Sequence, residues 1–406
     1  MDNIKKNFIW NIIGTTINAF NSLFLMIIVT RVNNVFDAGI FTFAFSTATL
    51  FNVIGVYAGR IYQVTDSSDL SDKDYLINRI LSCFIMLVVS VIFVMLKNYD
   101  LSKQMVIYSL CFLKMLEAFV DVLYGYFQKE NNLYKVGISL TVKNVLGLIA
   151  FIVVDLICNN VILSIISFIV IYVLVMIFYD FKNIEFKKIK KMDTNFKNIF
   201  SIFVNGFATF AVSFLTIYII NSSKYAIDNY MSDDLQAAFG IIIMPATVMI
   251  LVAQFIIHPF LVKITEELKS KNYKNVNLII IKICGVILLI GLIGIIIAYI
   301  FGIPVLEIIY NVPLKKYCLD LCMILLGATF YACTSVINTV LIASRHTLIQ
   351  MIIYILISIF TLIMANILVS KLGVFGASLN FLLTMILCLV SFIITYIIII
   401  GKEMKI

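Results

Sequence analysis

The stretch YSLCFLKMLEAFVDVLYGYF, residues 108–127, has the length and apolar character of a membrane span, yet it carries Lys114, Glu117 and Asp121. At roughly 100° per residue the three charges fall within an arc of about 60° on one helix face. In hydrocarbon each would cost on the order of 2.5 kcal/mol or more at the bilayer centre. The stripe is therefore expected to face protein or water, which makes this a helix of a polytopic bundle with a polar interior.

The rest of the chain agrees. Of 406 residues 62% are hydrophobic and 13% charged, and the mean hydropathy of +1.08 lies far outside the range of soluble domains. A span takes about 20 mostly apolar residues. On that basis the sequence predicts twelve, at 8–30, 38–60, 77–96, 104–128, 136–157, 160–180, 199–222, 238–262, 276–302, 317–343, 348–369 and 373–400. The expected fold class is an all-α polytopic membrane protein, with twelve transmembrane helices in two six-helix bundles around a central cavity. The first apolar run is of full span length and lacks a small-residue cleavage site, so it is expected to stay as span one. The eight cysteines are scattered, with Cys318 and Cys322 as the only close pair, and show neither disulfide-framework nor metal-site spacing. They read as apolar filler.

The net charge of +8 is a statement about topology. With both termini in the cytoplasm, the larger share of the 30 Lys and Arg falls on the inner side, and the external loops keep only Arg31, Lys97, Lys103, Lys224, Lys315, Lys316 and Lys371. This is the positive-inside pattern. Basicity then reports contact with anionic membrane lipid, and no nucleic-acid partner is expected. The most basic loop, DFKNIEFKKIKKMDTNFKN at 180–198, lies midway between six spans and six spans. The chain accordingly reads as an N-terminal half 1–180, a cytoplasmic linker 181–198 and a C-terminal half 199–406. That outline suits a transporter built of two repeats. The apolar residues interleaved with the linker's lysines suit either a solvated connection or a segment lying on the inner leaflet.

Several chemistries are missing. No GxxxxGK[ST] loop occurs, so the chain is not expected to hydrolyse ATP by itself. His258 and His346 sit at predicted inner span ends, which argues against an acyltransferase that needs a catalytic histidine. Asp72-Lys73-Asp74 has the DxD spacing of sugar-nucleotide enzymes but lies in a short loop with no nucleotide-binding fold around it. Pro245 is expected to kink the eighth span.

Two stretches carry a family likeness. NFIWNIIGTTINAFNSLFLMIIVTRVNNVFDAGIFTFAF (7–45) runs an Asn/Thr/Ser-bearing helix through Thr30-Arg31 and Asp37-Ala38-Gly39 into an aromatic second helix. LLGATFYACTSVINTVLIASRHTLIQMIIYILISIFTLIMANILVSKLGVFGASLNF (325–381) places a short Leu-Gly-x-x-Gly-Ala turn between two late helices. The chain resembles polysaccharide flippases of the Wzx type, within the multidrug/oligosaccharidyl-lipid/polysaccharide exporter superfamily. The resemblance implies a bacterial cytoplasmic-membrane flippase that carries an undecaprenyl-pyrophosphate-linked oligosaccharide outward by alternating access, with a polysaccharide polymerase as a candidate partner.

The residues fit that expectation. Pyrophosphate in a low-dielectric core needs cations, and Lys114 and Lys143 are the candidates. Sugar hydroxyls need neutral partners, and Asn11, Thr15, Asn18 and Ser22 recur every three to four residues along span one. The same small polar residues also suit helix-to-helix bonding. Arg31 and Asp37 bracket the first external turn and Arg60 ends span two, which makes them gate candidates. Asp121 and Lys143 are expected at similar depth and are candidates for an ion pair. Glu117 is left to bind a coupling proton or sodium ion. No organic or metal cofactor is expected. A multidrug exporter of the same superfamily is the alternative, for which Glu117 and Asp121 would meet an organic cation. A membrane-embedded polysaccharide polymerase or ligase is the enzymatic rival, although no large external loop is present. The loop AGRIYQVTDSSDLSDKDY (58–75) lacks the signature of major-facilitator transporters.

Overall fold

The computed structural model describes residues 3–65, 70–344 and 346–403. The first half contains α1 (Asn3–Val32), α2 (Val35–Val56), α3 (Asp72–Leu96), α4 (Leu101–Lys129), α5 (Leu133–Cys158) and α6 (Val161–Val175). A π turn at Met176–Asp180 prolongs α6. The second half contains α7 (Phe196–Tyr230), α8 (Asp233–Ile242, resuming as Met244–Ile257), α9 (Tyr273–Ile297, prolonged to Tyr310) and α10 (Cys318–Ala343). The final stretch Thr347–Glu403 bends at Gly373 into α11 (347–372) and α12 (374–403).

Among the described residues ten helical stretches are long and apolar enough to cross a membrane. One of them, Thr347–Ile399, holds both α11 and α12, and α4, with 29 residues, has spanning length but bears the charged stripe. Counted in this way the helices match the twelve predicted spans. Large apolar side chains point outward, among them Phe84 at 66%, Ile281 at 71% and Leu356 at 63% exposure. A soluble domain would bury such residues, whereas spanning helices leave them to lipid.

Polar residues at the helix ends set the boundaries. The Asp37 amide donates to Asn34 Oδ1 at 2.7 Å to start α2, and the Leu163 amide donates to Asn160 Oδ1 to start α6. Ser71 and Asp74 form a reciprocal capping box at α3, and Lys129 donates to Asp72 at 2.8 Å. Both carboxylates of the DxD triplet are thus occupied by helix ends. Gly373, at φ +62°, allows the sharp reversal between α11 and α12. The break expected at Pro245 lies at Ile243, two residues earlier, because a proline in the first turn needs no intrahelical donor.

By its contacts the chain forms two compact units, 1–214 and 215–406, with the boundary inside α7. In unit one α1 lies along α5, α2 and α3 pack on α4, and α5 packs on α6. The α1–α5 approach is backbone on backbone: a Cβ at Gly14 would overlap the Gly137 carbonyl, and one at Gly137 would overlap that of Trp10. The basic segment also belongs to unit one. Thr194 donates to Asp74 at 2.6 Å and Lys73 to the Met192 carbonyl at 3.0 Å, while Tyr57 donates to the Phe203 carbonyl and stacks on Phe210. In unit two α10 packs on α8, α9 and the α11–α12 pair. A buried neutral cluster ties α7 to that pair: Ser222 and Thr384 each bond Thr361 at 3.0 Å, and Asn380 donates to Ser223 at 3.1 Å.

Candidate functional site

The charged face of α4 turns inward, and each turn of it meets a different partner. Lys114 donates to Glu117 at 2.7 Å and lies over the Phe45 ring at 4.9 Å. Their side chains are 15% and 26% exposed, so the pair is not sealed. Asn52 of α2 donates to the Lys114 carbonyl at 2.7 Å and pins this turn. Lys114 therefore has a carboxylate partner one turn away on its own helix.

One turn further along, Asp121 lies 3.9 Å from Arg60 and 3.5 Å from Arg79. The chain reaches this point by an abrupt reversal. Tyr57 and Gly59 both adopt positive φ after α2, and the short helix Gly59–Thr65 then folds against α4. That placement sets Arg60 beside Asp121 and lets Gln63 donate to the Val122 carbonyl at 3.2 Å. A Cβ at Gly125 would overlap the Gln63 amide, so glycine there is what admits the side chain. Arg79 comes from α3, is buried, and donates to the Ala118 carbonyl at 2.8 Å.

The expected pairing of Asp121 with Lys143 does not form. Lys143 pairs instead with Asp180, both side chains being fully buried, and also donates to Tyr124 Oη at 3.1 Å. Tyr124 in turn bonds Ser139 at 2.9 Å, and the ammonium lies 4.4 Å from the centre of the Tyr172 ring. The reason is local geometry. Asp180 ends the π turn, whose wider winding carries its carboxylate to α5, while two guanidiniums already surround Asp121. An ion pair so enclosed is expected to hold α5 and the end of α6 together. It offers substrate no open face.

Along α1, Thr15 and Asn18 are exposed, and Asn11 and Ser22 are half-buried. Asn18 accepts from Asn144 of α5 at 3.1 Å, which makes it a bond between helices. Thr15 donates to the Asn11 carbonyl within α1. Arg31 is exposed and Asp37 half-buried at the α1–α2 turn. They stand at the opposite end of α2 from Arg60, about 33 Å away for a helix of 22 residues.

Reading from residues alone missed Arg79, Asp180, Gln63 and Tyr124. Arg79 and Asp180 fall at the edges of predicted spans, where a charge usually reaches out to water. Four cations, Arg60, Arg79, Lys114 and Lys143, share three carboxylates, Glu117, Asp121 and Asp180. The cluster is left with one surplus positive charge.

This arrangement of helices is a MATE transporter fold. The chain superposes over 97% of its length on 99% of an inward-facing multidrug resistance MATE family transporter of the MOP superfamily, with a TM-score of 0.74 at 12% identity. It also matches the eukaryotic MATE transporter AtDTX14, with a TM-score of 0.63 at 14% identity, over 97% of this chain and 96% of that one. In sequence it is similar to the capsular polysaccharide biosynthesis protein CapF of Staphylococcus aureus, 23% identical over 401 residues, or 95% of this chain and 98% of the relative. No protein-family model matches.

Proposed function

We propose that the protein is a flippase of the Wzx type in a bacterial cytoplasmic membrane. It carries an undecaprenyl-pyrophosphate-linked oligosaccharide to the outer leaflet by alternating access. The observation that carries this reading is the surplus of positive charge in the cluster around α4. A doubly charged phosphate anion entering a low-dielectric interior needs cations, which an organic-cation exporter would be expected to avoid. The name of the staphylococcal relative supports a role in polysaccharide synthesis. Lys114, partly open and reachable, is the proposed cation for the anionic substrate. Glu117 beside it is the proposed site of proton or sodium coupling. The exposed polar groups of α1, Thr15 and Asn18, are the proposed sugar contacts. Polymerase machinery on the outer face is the proposed downstream partner.

The multidrug reading draws on a specific observation, the partly exposed carboxylates Glu117 and Asp121. The two readings separate in a deletion strain. Loss of a flippase leaves lipid-linked oligosaccharide on the inner leaflet, and an intact copy clears it. Loss of a drug exporter leaves the oligosaccharide unchanged and raises sensitivity to organic cations.

A further inference from the structure

Arg79 is under-used for a buried guanidinium. Its side chain is 5% exposed, and of its five N–H donors one is bonded, to the Ala118 carbonyl. Its carboxylate contact is loose. Asp121 stands 3.5 Å away, beyond a normal charge-assisted hydrogen bond, and Asp121 Oδ2 makes no hydrogen bond at all. Arg60 reaches the other oxygen at 3.9 Å. One carboxylate therefore serves two guanidiniums and satisfies neither. The place is built, not accidental: the reversal at Tyr57 and Gly59 folds Arg60 back beneath α4, and the buried amide of Gln63 packs against Gly125, leaving its Oε1 without a hydrogen bond. Arg60 and Asp121 keep about a quarter of their side-chain surface exposed, so the site has an open side.

We propose that Arg60 and Arg79 form a binding site for a phosphate or diphosphate group, in which Asp121 is an internal anion that the ligand displaces. A diphosphate has more acceptor oxygens than a carboxylate and matches the planar fork of each guanidinium. When it enters, Asp121 loses both partners and turns to the open side, where it is hydrated. The site lies where α2 ends and α3 begins, at the same end of unit one as the capped α3 start, apart from Lys114. Its natural occupant rests on the flippase reading, in which it would be the head of the lipid carrier. The anion site itself does not rest on it.

The test is calorimetric titration of the full chain in nanodiscs of zwitterionic lipid, with inorganic pyrophosphate and farnesyl diphosphate as probes and farnesol as control. Asp121→Asn removes the competitor and should tighten binding about 10-fold, a gain of about 1.4 kcal/mol. Arg79→Gln should weaken it at least about 10-fold, and Arg79→Lys should retain part of it because it keeps charge but not the fork. Binding of farnesyl diphosphate alone assigns a lipid headgroup as the source, and equal binding of both probes assigns any diphosphate. Weaker or unchanged binding in Asp121→Asn would overturn the inference, since a structural Asp121 would lower affinity by loosening its arginines. That sign decides the matter even if Arg79→Gln does not fold. Diphosphate binding in a protein whose deletion leaves no trapped oligosaccharide would sink the flippase reading and leave this site standing.

Discussion

At the residue scale, two lysines of similar sequence setting have been given different work by their surroundings. Lys143 is sealed against Asp180, so Lys143→Met should cost about 3–5 kcal/mol by leaving a buried carboxylate unpaired, while Lys143→Met with Asp180→Leu should recover most of it. Unfolding midpoints of the purified single and double variants check this. Asp121→Asn combined with Lys143→Gln should show additive losses, because the two side chains share no contact. Lys114 is only partly enclosed beside Glu117, and the proposed function makes its charge the group that meets the substrate anion. Lys114→Arg should keep most transport and Lys114→Gln should lose about 10-fold or more, in complementation of a deletion strain; equal, near-normal activity of the two would remove Lys114 from the mechanism. The stripe on α4 was legible in the sequence because 3.6-residue periodicity fixes which residues share a face. Its partners were not, since Arg79 and Asp180 become interior only through the packing of α3 and the winding of a π turn.

At the scale of elements, the number and place of the helices were legible because length and hydropathy decide them before packing does, but α7 and α9 run on to Tyr230 and Tyr310, past the predicted ends at 222 and 302. The turns were less so. The Gly373 reversal followed from its Leu-Gly-x-x-Gly-Ala letters, whereas the fold-back of Gly59–Thr65 depends on two consecutive-turn residues at positive φ, one of them a tyrosine that no propensity would place there. The close approach of α1 to α5 was invisible, since neither glycine belongs to a recognisable pair until the helices are side by side. It has a clear consequence. Gly137→Val should force the two backbones apart and sharply reduce the yield of folded protein, while Gly285→Val, where a Cβ meets nothing within 4 Å, should leave it near the wild-type level. Fluorescence-detected size exclusion of tagged variants checks both.

At the scale of the molecule, the twelve helices and the excess of Lys and Arg on one side predict an orientation with both termini in the cytoplasm. Reporter fusions after residues 100, 230 and 310 should read external and those after 190 and 270 internal; an inverted pattern would overturn that orientation. The chain has the fold of MATE transporters, and the proposed function adds alternating access and an anionic lipid-linked cargo to that fold. The decisive measurement is made in proteoliposomes holding the purified chain and a polyprenyl-diphosphate-linked oligosaccharide, by the rate at which the sugar becomes accessible to an external lectin. The account predicts protein-dependent exposure that Lys114→Gln slows about 10-fold or more. Absence of exposure in vesicles that do transport an organic cation would contradict it.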